Sequence, residues 1–202
     1  MKFSKNDFRS SIITGVETGF IAWLIAGFLG RTQISGLSLA WLVVIVPVLW
    51  IAGVNFGYFL GRFFSFFNQF GRFTAVGFTN AAVDFGVLYL LIWQTDQSTG
   101  YYYAGFKGLS FIIANIHSYF WNKRWVFDTG NKRSTRGEVT KFAVVTTLSA
   151  LINVSVASLV NNISIGQVAP AAWAGVGAAA GSAAALIFSF VGFRLAVFKK
   201  SS

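Results

Sequence analysis

Cysteine is absent from this 202-residue chain, which excludes disulfide staples and thiolate metal sites and leaves the redox compartment open. There is one histidine, and aspartate and glutamate together number six. No two carboxylates fall within one plausible site. Neither a metal centre nor a paired acid and base therefore has material to be built from. A glycine-rich phosphate loop with its lysine is also missing. The chain is expected to have no enzymatic activity of its own, no catalytic residue, no cofactor and no metal. Charged residues make up 11% of it, against about 25% in soluble domains. That is too little to cover a surface facing water.

What is present is apolar material in long runs. Hydrophobic residues are 55% of the chain, phenylalanine occurs 23 times, and the mean hydropathy is +0.63. A helix needs about 20 apolar residues to cross a bilayer core. Six stretches qualify, at 11–30, 39–61, 73–93, 105–121, 142–162 and 171–193. The expected fold class is all-α, a polytopic membrane helix bundle with little outside the membrane. The first stretch follows a short basic segment, as a signal peptide would. It is long, carries Glu17 and lacks a small-residue cleavage pattern, so it reads as a retained helix.

The formal net charge of +10 would suit a nucleic-acid binder, but its placement reports orientation instead. With both termini in the cytoplasm, only Arg31 and Lys107 of the 16 Lys and Arg residues fall on the outer side, leaving 14 inside. This is the positive-inside bias. The expected location is the cytoplasmic (inner) membrane, multi-pass, with no nucleic-acid partner.

Residues 1–10 read as a basic lead, a short interfacial helix with Phe3 and Phe8 in lipid. Gly15, Gly19 and Gly27 would permit close helix contact in span one, and Pro47 interrupts the hydrogen bonding of span two. The aromatic segment 63–71 is expected to lie flat at the cytoplasmic interface. Trp93 and Tyr101 to Tyr103 suit the headgroup layer. The loop 128–138 is polar, the turn 163–170 uncharged, and Gly177 and Gly181 form a small-xxx-small pair.

Spans three to six carry an internal echo. SYFWNKRWVF at 118–127 is matched by SFVGFRLAVF at 189–198, and RFTAVGFTNAAVD at 72–84 by KFAVVTTLSALIN at 141–153. Two helices followed by two similar helices, at a period of about seventy residues, describe a duplicated core. An even number of helices per repeat makes the halves parallel.

Asp84 is the sharpest single residue. Twelve positions beyond Arg72, it lies ~18 Å along the helix, near the middle of a ~30 Å core. An ionised carboxylate there must be paired, hydrated or protonated. Asn80 is one turn away, and Asn153 holds the matching place in the second repeat. Two readings stand: a polar centre that titrates during transport, or an Asp–Asn hydrogen bond that fixes packing. Asn115, Ser118, Tyr119 and Asn122 share one face of span four, which should turn inward, while His117 falls off that face and reads as an interfacial anchor. Glu17 reads as structural, near the cytoplasmic end of span one and within reach of Arg9 or a basic residue of the bundle. Arg72, Lys123, Lys141 and Arg194 end spans three to six on the cytoplasmic side. They could bind a lipid phosphate through charge-assisted hydrogen bonds, or simply obey the positive-inside rule and snorkel.

The pattern RF–x–x–VG–x–x–N–x–x–x–D at 72–84, followed by N–x–x–S–Y–F–x–N–K–x–W–V–F at 115–127, resembles the GtrA-like family. The resemblance covers 72–198, so 1–71 forms a two-helix membrane extension with an interfacial linker and 72–202 a GtrA-like four-helix domain. The matching positions are Arg72, Phe73, Gly77, Asn80, Asp84, Asn115, Asn122, Lys123, Trp125 and Phe127. It implies a membrane protein of cell-envelope polysaccharide synthesis, working beside a glycosyltransferase and moving a polyprenyl-phosphate-linked sugar across the membrane. Two departures stand out: Lys123 occupies a place where the family often has arginine, and the N-terminal spans are extra.

Three functions compete. In the first, Arg72, Lys123, Lys141 and Arg194 hold the lipid phosphate. The sugar then passes Asn80, Asp84, Asn115, Tyr119, Asn122 and Asn153, while the prenyl tail stays in membrane lipid; a homodimer or a glycosyltransferase would thicken the path. The second is a non-transporting anchor for a polyprenyl-phosphate glycosyltransferase, docked on the basic 123–141 loop. The third is a small proton-coupled solute exporter working through Asp84.

Overall fold

In a computed structural model, which describes residues 2–34, 36–97, 100–129, 135–163 and 170–198, each apolar stretch is a helix. These are α1 (Lys5–Phe28), α2 (Leu42–Leu60, entered through a 3₁₀ turn at Leu39–Trp41), α3 (Phe67–Thr95), α4 (Gly100–Trp121), α5 (Arg136–Asn162) and α6 (Pro170–Gly192). The chain is an all-α membrane helix bundle. Among the described residues, α1, the 39–60 segment and α3 are both long and apolar enough to cross a bilayer. A two-residue antiparallel pair, β1 (Gln33–Ile34) with β2 (Leu37–Ser38), closes the α1–α2 turn, with Gly36 at φ +80°. Lys132, Arg133, Lys199, Lys200 and the 164–169 turn lie outside the described residues, as do the side chains of Tyr101, Tyr103 and Lys107 and the surroundings of Gly177.

Contacts divide the chain into two units, 1–128 and 129–202. In the first, α1 packs on α2 and α3, α2 on α3, and α3 on α4. Helix α1 begins earlier than its hydropathy implies. Ser4 caps it: its hydroxyl accepts from the Asp7 N–H at 3.1 Å, and Asp7 accepts from the Ser4 N–H at 2.9 Å. This reciprocal box satisfies two otherwise orphaned donors. The lead is thus no separate interfacial helix but the first turns of α1. Glu17, in turn, sits mid-helix rather than near an end.

The buried stripe of α1 is Asp7, Ser10, Ser11, Thr14, Gly15, Thr18 and Gly19, while Ile13, Val16, Phe20 and Leu24 face outward. Lipid solvates apolar side chains as well as a protein interior does, so small and hydroxylic residues go inside. A Cβ on Gly15 would overlap the backbone of Pro47, and one on Gly19 the backbone of Leu42. Gly27 differs, because a Cβ there would meet nothing within 4 Å.

The 63–71 segment is a turn that runs into the first residues of α3. The chain turns after Gly61, α3 starts at Phe67, and a Cβ on Gly71 would lie 3.2 Å from the Gly53 oxygen of α2. Two glycines, Gly57 and Gly71, face each other across this crossing, while Phe63 and Phe64 stay exposed.

The second unit is the α5–α6 pair. Thr135 caps α5 by accepting from the Glu138 N–H at 3.1 Å. Toward this same end of the pair, a Cβ on Gly192 would meet Val145 at 2.7 Å, so the helices touch closely there.

Candidate functional site

At the end of α4 the helix widens into a π-turn over Asn122–Val126, where the Phe127 N–H donates to the Asn122 carbonyl at 2.9 Å. Such one-turn widenings re-aim the side chains that follow them. Here Trp125, Val126 and Phe127 all turn inward and are buried. Asn122 turns inward too, and its amide donates to the Ser118 carbonyl at 2.9 Å and hydroxyl at 3.1 Å.

Four elements meet at Trp125. Its indole N–H donates to Asp7 Oδ1 of α1 at 3.0 Å, and its carbonyl accepts from Arg72 Nη1 of α3 at 2.7 Å. Arg72 Nη1 also lies 3.8 Å from Asp7 Oδ1, with both side chains less than a tenth exposed. The other Asp7 oxygen accepts from the Ser4 hydroxyl at 2.7 Å and the Tyr58 hydroxyl of α2 at 3.0 Å. The Arg72 guanidinium sits 5.8 Å over the Tyr58 ring. A buried charge pair is held only when its remaining valences are met, and Asp7 is met by four donors. The Nη2 group of Arg72 makes no hydrogen bond to a described residue.

Lys123 is buried beside this clasp, with Nζ 5.8 Å over the Tyr119 ring. Arg124 points outward, 5.3 Å over the Phe120 ring. Higher along α3, Asp84 accepts from the Ser110 hydroxyl of α4 at 2.6 Å. One turn away, the Asn80 Oδ1 is buried without a hydrogen-bond partner, as is the Asn122 Oδ1. Asn115 spends its amide on its own helix, donating to Phe111 at 2.8 Å. In the second unit Lys141 is exposed, whereas Arg194 and Asn153 are partly buried.

A family model of the GtrA/DPMS transmembrane domain matches residues 72–200. The chain belongs to this family. Neither comparison with curated proteins nor comparison with solved structures gave a match. Membership points to a membrane protein of polyprenyl-phosphate-sugar pathways.

Within the GtrA/DPMS domain each unit carries the same local device. Phe73 packs against Phe127 with ring centroids 6.4 Å apart, and Phe142 against Phe198 at 6.3 Å. Each pair closes a π-turn, the second over Phe193–Val197, where the Phe198 N–H donates to the Phe193 carbonyl at 2.8 Å. These turns fall at matching places of the echoed sequences. Their chemistry diverges. Arg72, Asn122 and Trp125 correspond to Lys141, Phe193 and Ala196, and in the second unit Phe142 stacks on Phe193 at 4.5 Å.

Asp7 and Tyr58 complete the clasp from outside the GtrA/DPMS match, and sequence reasoning missed both. The Ser4–Asp7 capping signature was available and marks a helix start at Lys5. Nothing local marks Tyr58. A second pairing was missed as well: Glu17 Oε1 lies 2.9 Å from His117 Nε2.

Proposed function

We propose that this protein translocates a polyprenyl-phosphate-linked sugar across the cytoplasmic membrane, with both termini in the cytoplasm and no catalysis of its own. The observation that carries the reading is the placement of Arg72 and Lys123, both buried at one end of the α3–α4 pair and inside the family match. A phosphate approaching that end would find the uncommitted Nη2 donors and a lysine in a low-dielectric setting, where charge-assisted bonds are strong. Lys141 and Arg194 are the matching basic residues of the second repeat. The unpartnered carbonyls of Asn80 and Asn122 offer acceptors for sugar hydroxyls, alongside Asp84, Asn115 and Tyr119. A polar headgroup cannot cross hydrocarbon without such groups. The prenyl chain stays in lipid, and the matching π-turns support a duplicated core.

The test is reconstitution with a fluorescent polyprenyl-phosphate sugar, following its exposure to a reagent outside the vesicles. Wild type should expose the lipid faster than empty vesicles, and Lys123→Ala and Asp84→Asn should each slow it at least tenfold. Exposure no faster than in empty vesicles, with folded protein, sinks the reading.

One observation favours a second reading, in which the protein anchors a glycosyltransferase. Three of Arg72's interactions are already taken, by Asp7, Trp125 and Asn68, while Arg124 and Lys141 are exposed and open to a protein partner. Co-purification of the enzyme, lost in Arg124→Glu with Lys141→Glu, would support it.

A further inference from the structure

His117 Nε2 is 2.9 Å from Glu17 Oε1 of α1 and 3.0 Å from the Trp121 indole nitrogen of its own helix. An indole N–H can only donate, and an ionised carboxylate can only accept. One imidazole nitrogen offers either a proton or a lone pair. These two bonds therefore exclude each other. With a proton, Nε2 donates to Glu17 and ties α4 to α1; without one, it accepts from Trp121 within α4. The other ring nitrogen, Nδ1, is buried with no hydrogen-bond partner, so nothing on that side fixes the tautomer.

The charged or titratable groups on the elements packed around the pair include Arg72, Asp84 and Tyr89 on α3, Tyr58 on α2, and Tyr119, Lys123 and Arg124 on α4 and its π-turn; α1 itself adds Lys5, Asp7 and Arg9. Asp7, Arg72 and Tyr58 are engaged in the clasp, Asp84 with Ser110, and Lys123 and Arg124 over rings. Glu17 and His117 are each other's one ionic partner among the described residues. Glu17 sits ~18 Å along α1 from Lys5, well inside a bilayer core, where an ionisable pair is rarely incidental.

We propose that Glu17, His117 and Trp121 form a proton-binding site, a latch between the N-terminal extension and the family domain. Trp121 is the last residue before the π-turn that carries Asn122, Lys123 and Trp125. Loss of the proton from Nε2 moves a hydrogen bond from α1 onto the residue that leads into that turn. Proton occupancy and the position of the turn are thereby coupled. This goes beyond lipid translocation and stands whether or not the protein moves a lipid.

His117 is the one histidine of the chain, so ¹⁵N-histidine labelling of the full protein in lipid nanodiscs gives a single imidazole probe. Its nitrogen signals and the Trp121 indole N–H, identified by its loss in Trp121→Phe, are followed from about pH 5 to about pH 9. The expected result is that the imidazole and indole signals move together with one midpoint, and that Glu17→Gln displaces it. An imidazole that keeps one state throughout, or an indole signal that stays still while the imidazole titrates, would overturn the latch; so would an unchanged midpoint in Glu17→Gln. Should Glu17→Gln not fold, the wild-type comparison decides alone.

Discussion

Asp7 shows how one side chain takes on several tasks at once. It caps α1, receives the Trp125 and Tyr58 donors, and faces Arg72. Removing it leaves a buried guanidinium without its counter-charge, so Asp7→Ala is expected to cost about 3 kcal/mol. Replacing Arg72 by leucine in the same protein should restore part of that loss, because the uncompensated charge is gone. Unfolding in a detergent series would measure both, and strict additivity of the two changes would show that the pair is not coupled. Lys141→Ala at the corresponding place of the second unit should stay within about 0.5 kcal/mol, since that side chain is exposed. At this scale the sequence was only half legible. Arg72, Trp125 and Asn122 stood out as motif residues, but the identity of their partner depended on a helix beginning inside a segment that reads as polar lead. The buried half of Glu17's role was hidden for the same reason, as its partner lies on another helix.

Helices are where the sequence speaks most plainly, because lipid demands long apolar runs whatever the tertiary structure. Their ends and contact faces are subtler. Gly15 and Gly19 were readable as contact residues, but so was Gly27, and only the position of α2 separates them. Gly15→Leu should drive α1 off Pro47 and destabilise the protein by about 1–3 kcal/mol, while Gly27→Leu should be neutral within about 0.5 kcal/mol. A thermal shift of equal size for both would mean that α1 and α2 do not cross where Gly15 meets Pro47. The 63–71 segment was read from its aromatics alone, and the close approach of Gly57 to Gly71 went unseen. The π-turns have no hydropathy signature at all. The sequence echo nevertheless marked both places, and Phe142 tests the second one. Stacked at 4.5 Å on Phe193, it should cost about 3–5 kcal/mol when cut to alanine, with loss of the α5–α6 pair monitored by proteolysis.

At the scale of the molecule, the family match and the packing do not share a boundary. The match begins at Arg72, but α3 is packed against α1 and α2, with Thr18 and Thr79 hydroxyls 3.0 Å apart and Arg72 held by Asp7. Hydropathy and the motif together lead to the expectation of a two-helix extension joined to a four-helix domain, but they contain no term for side chains that cross that junction. If the extension is part of the domain's own packing, residues 72–202 expressed alone should leave Arg72 and Thr79 without their partners on α1. Polar groups that lose their partners destabilise the fold, so this fragment should accumulate poorly. Supplying residues 1–71 as a separate chain should rescue it, because the contacts need no covalent link, and tagged 72–202 should then purify with its partner in equal amounts. Asp7→Ala in the short chain should weaken that recovery, and Gly15→Leu should weaken it less, since a Cβ on Gly15 meets Pro47 of α2, within the same fragment. A fragment 72–202 that folds and accumulates as well as the full chain would instead assign the extension to a partner or regulatory role outside the domain.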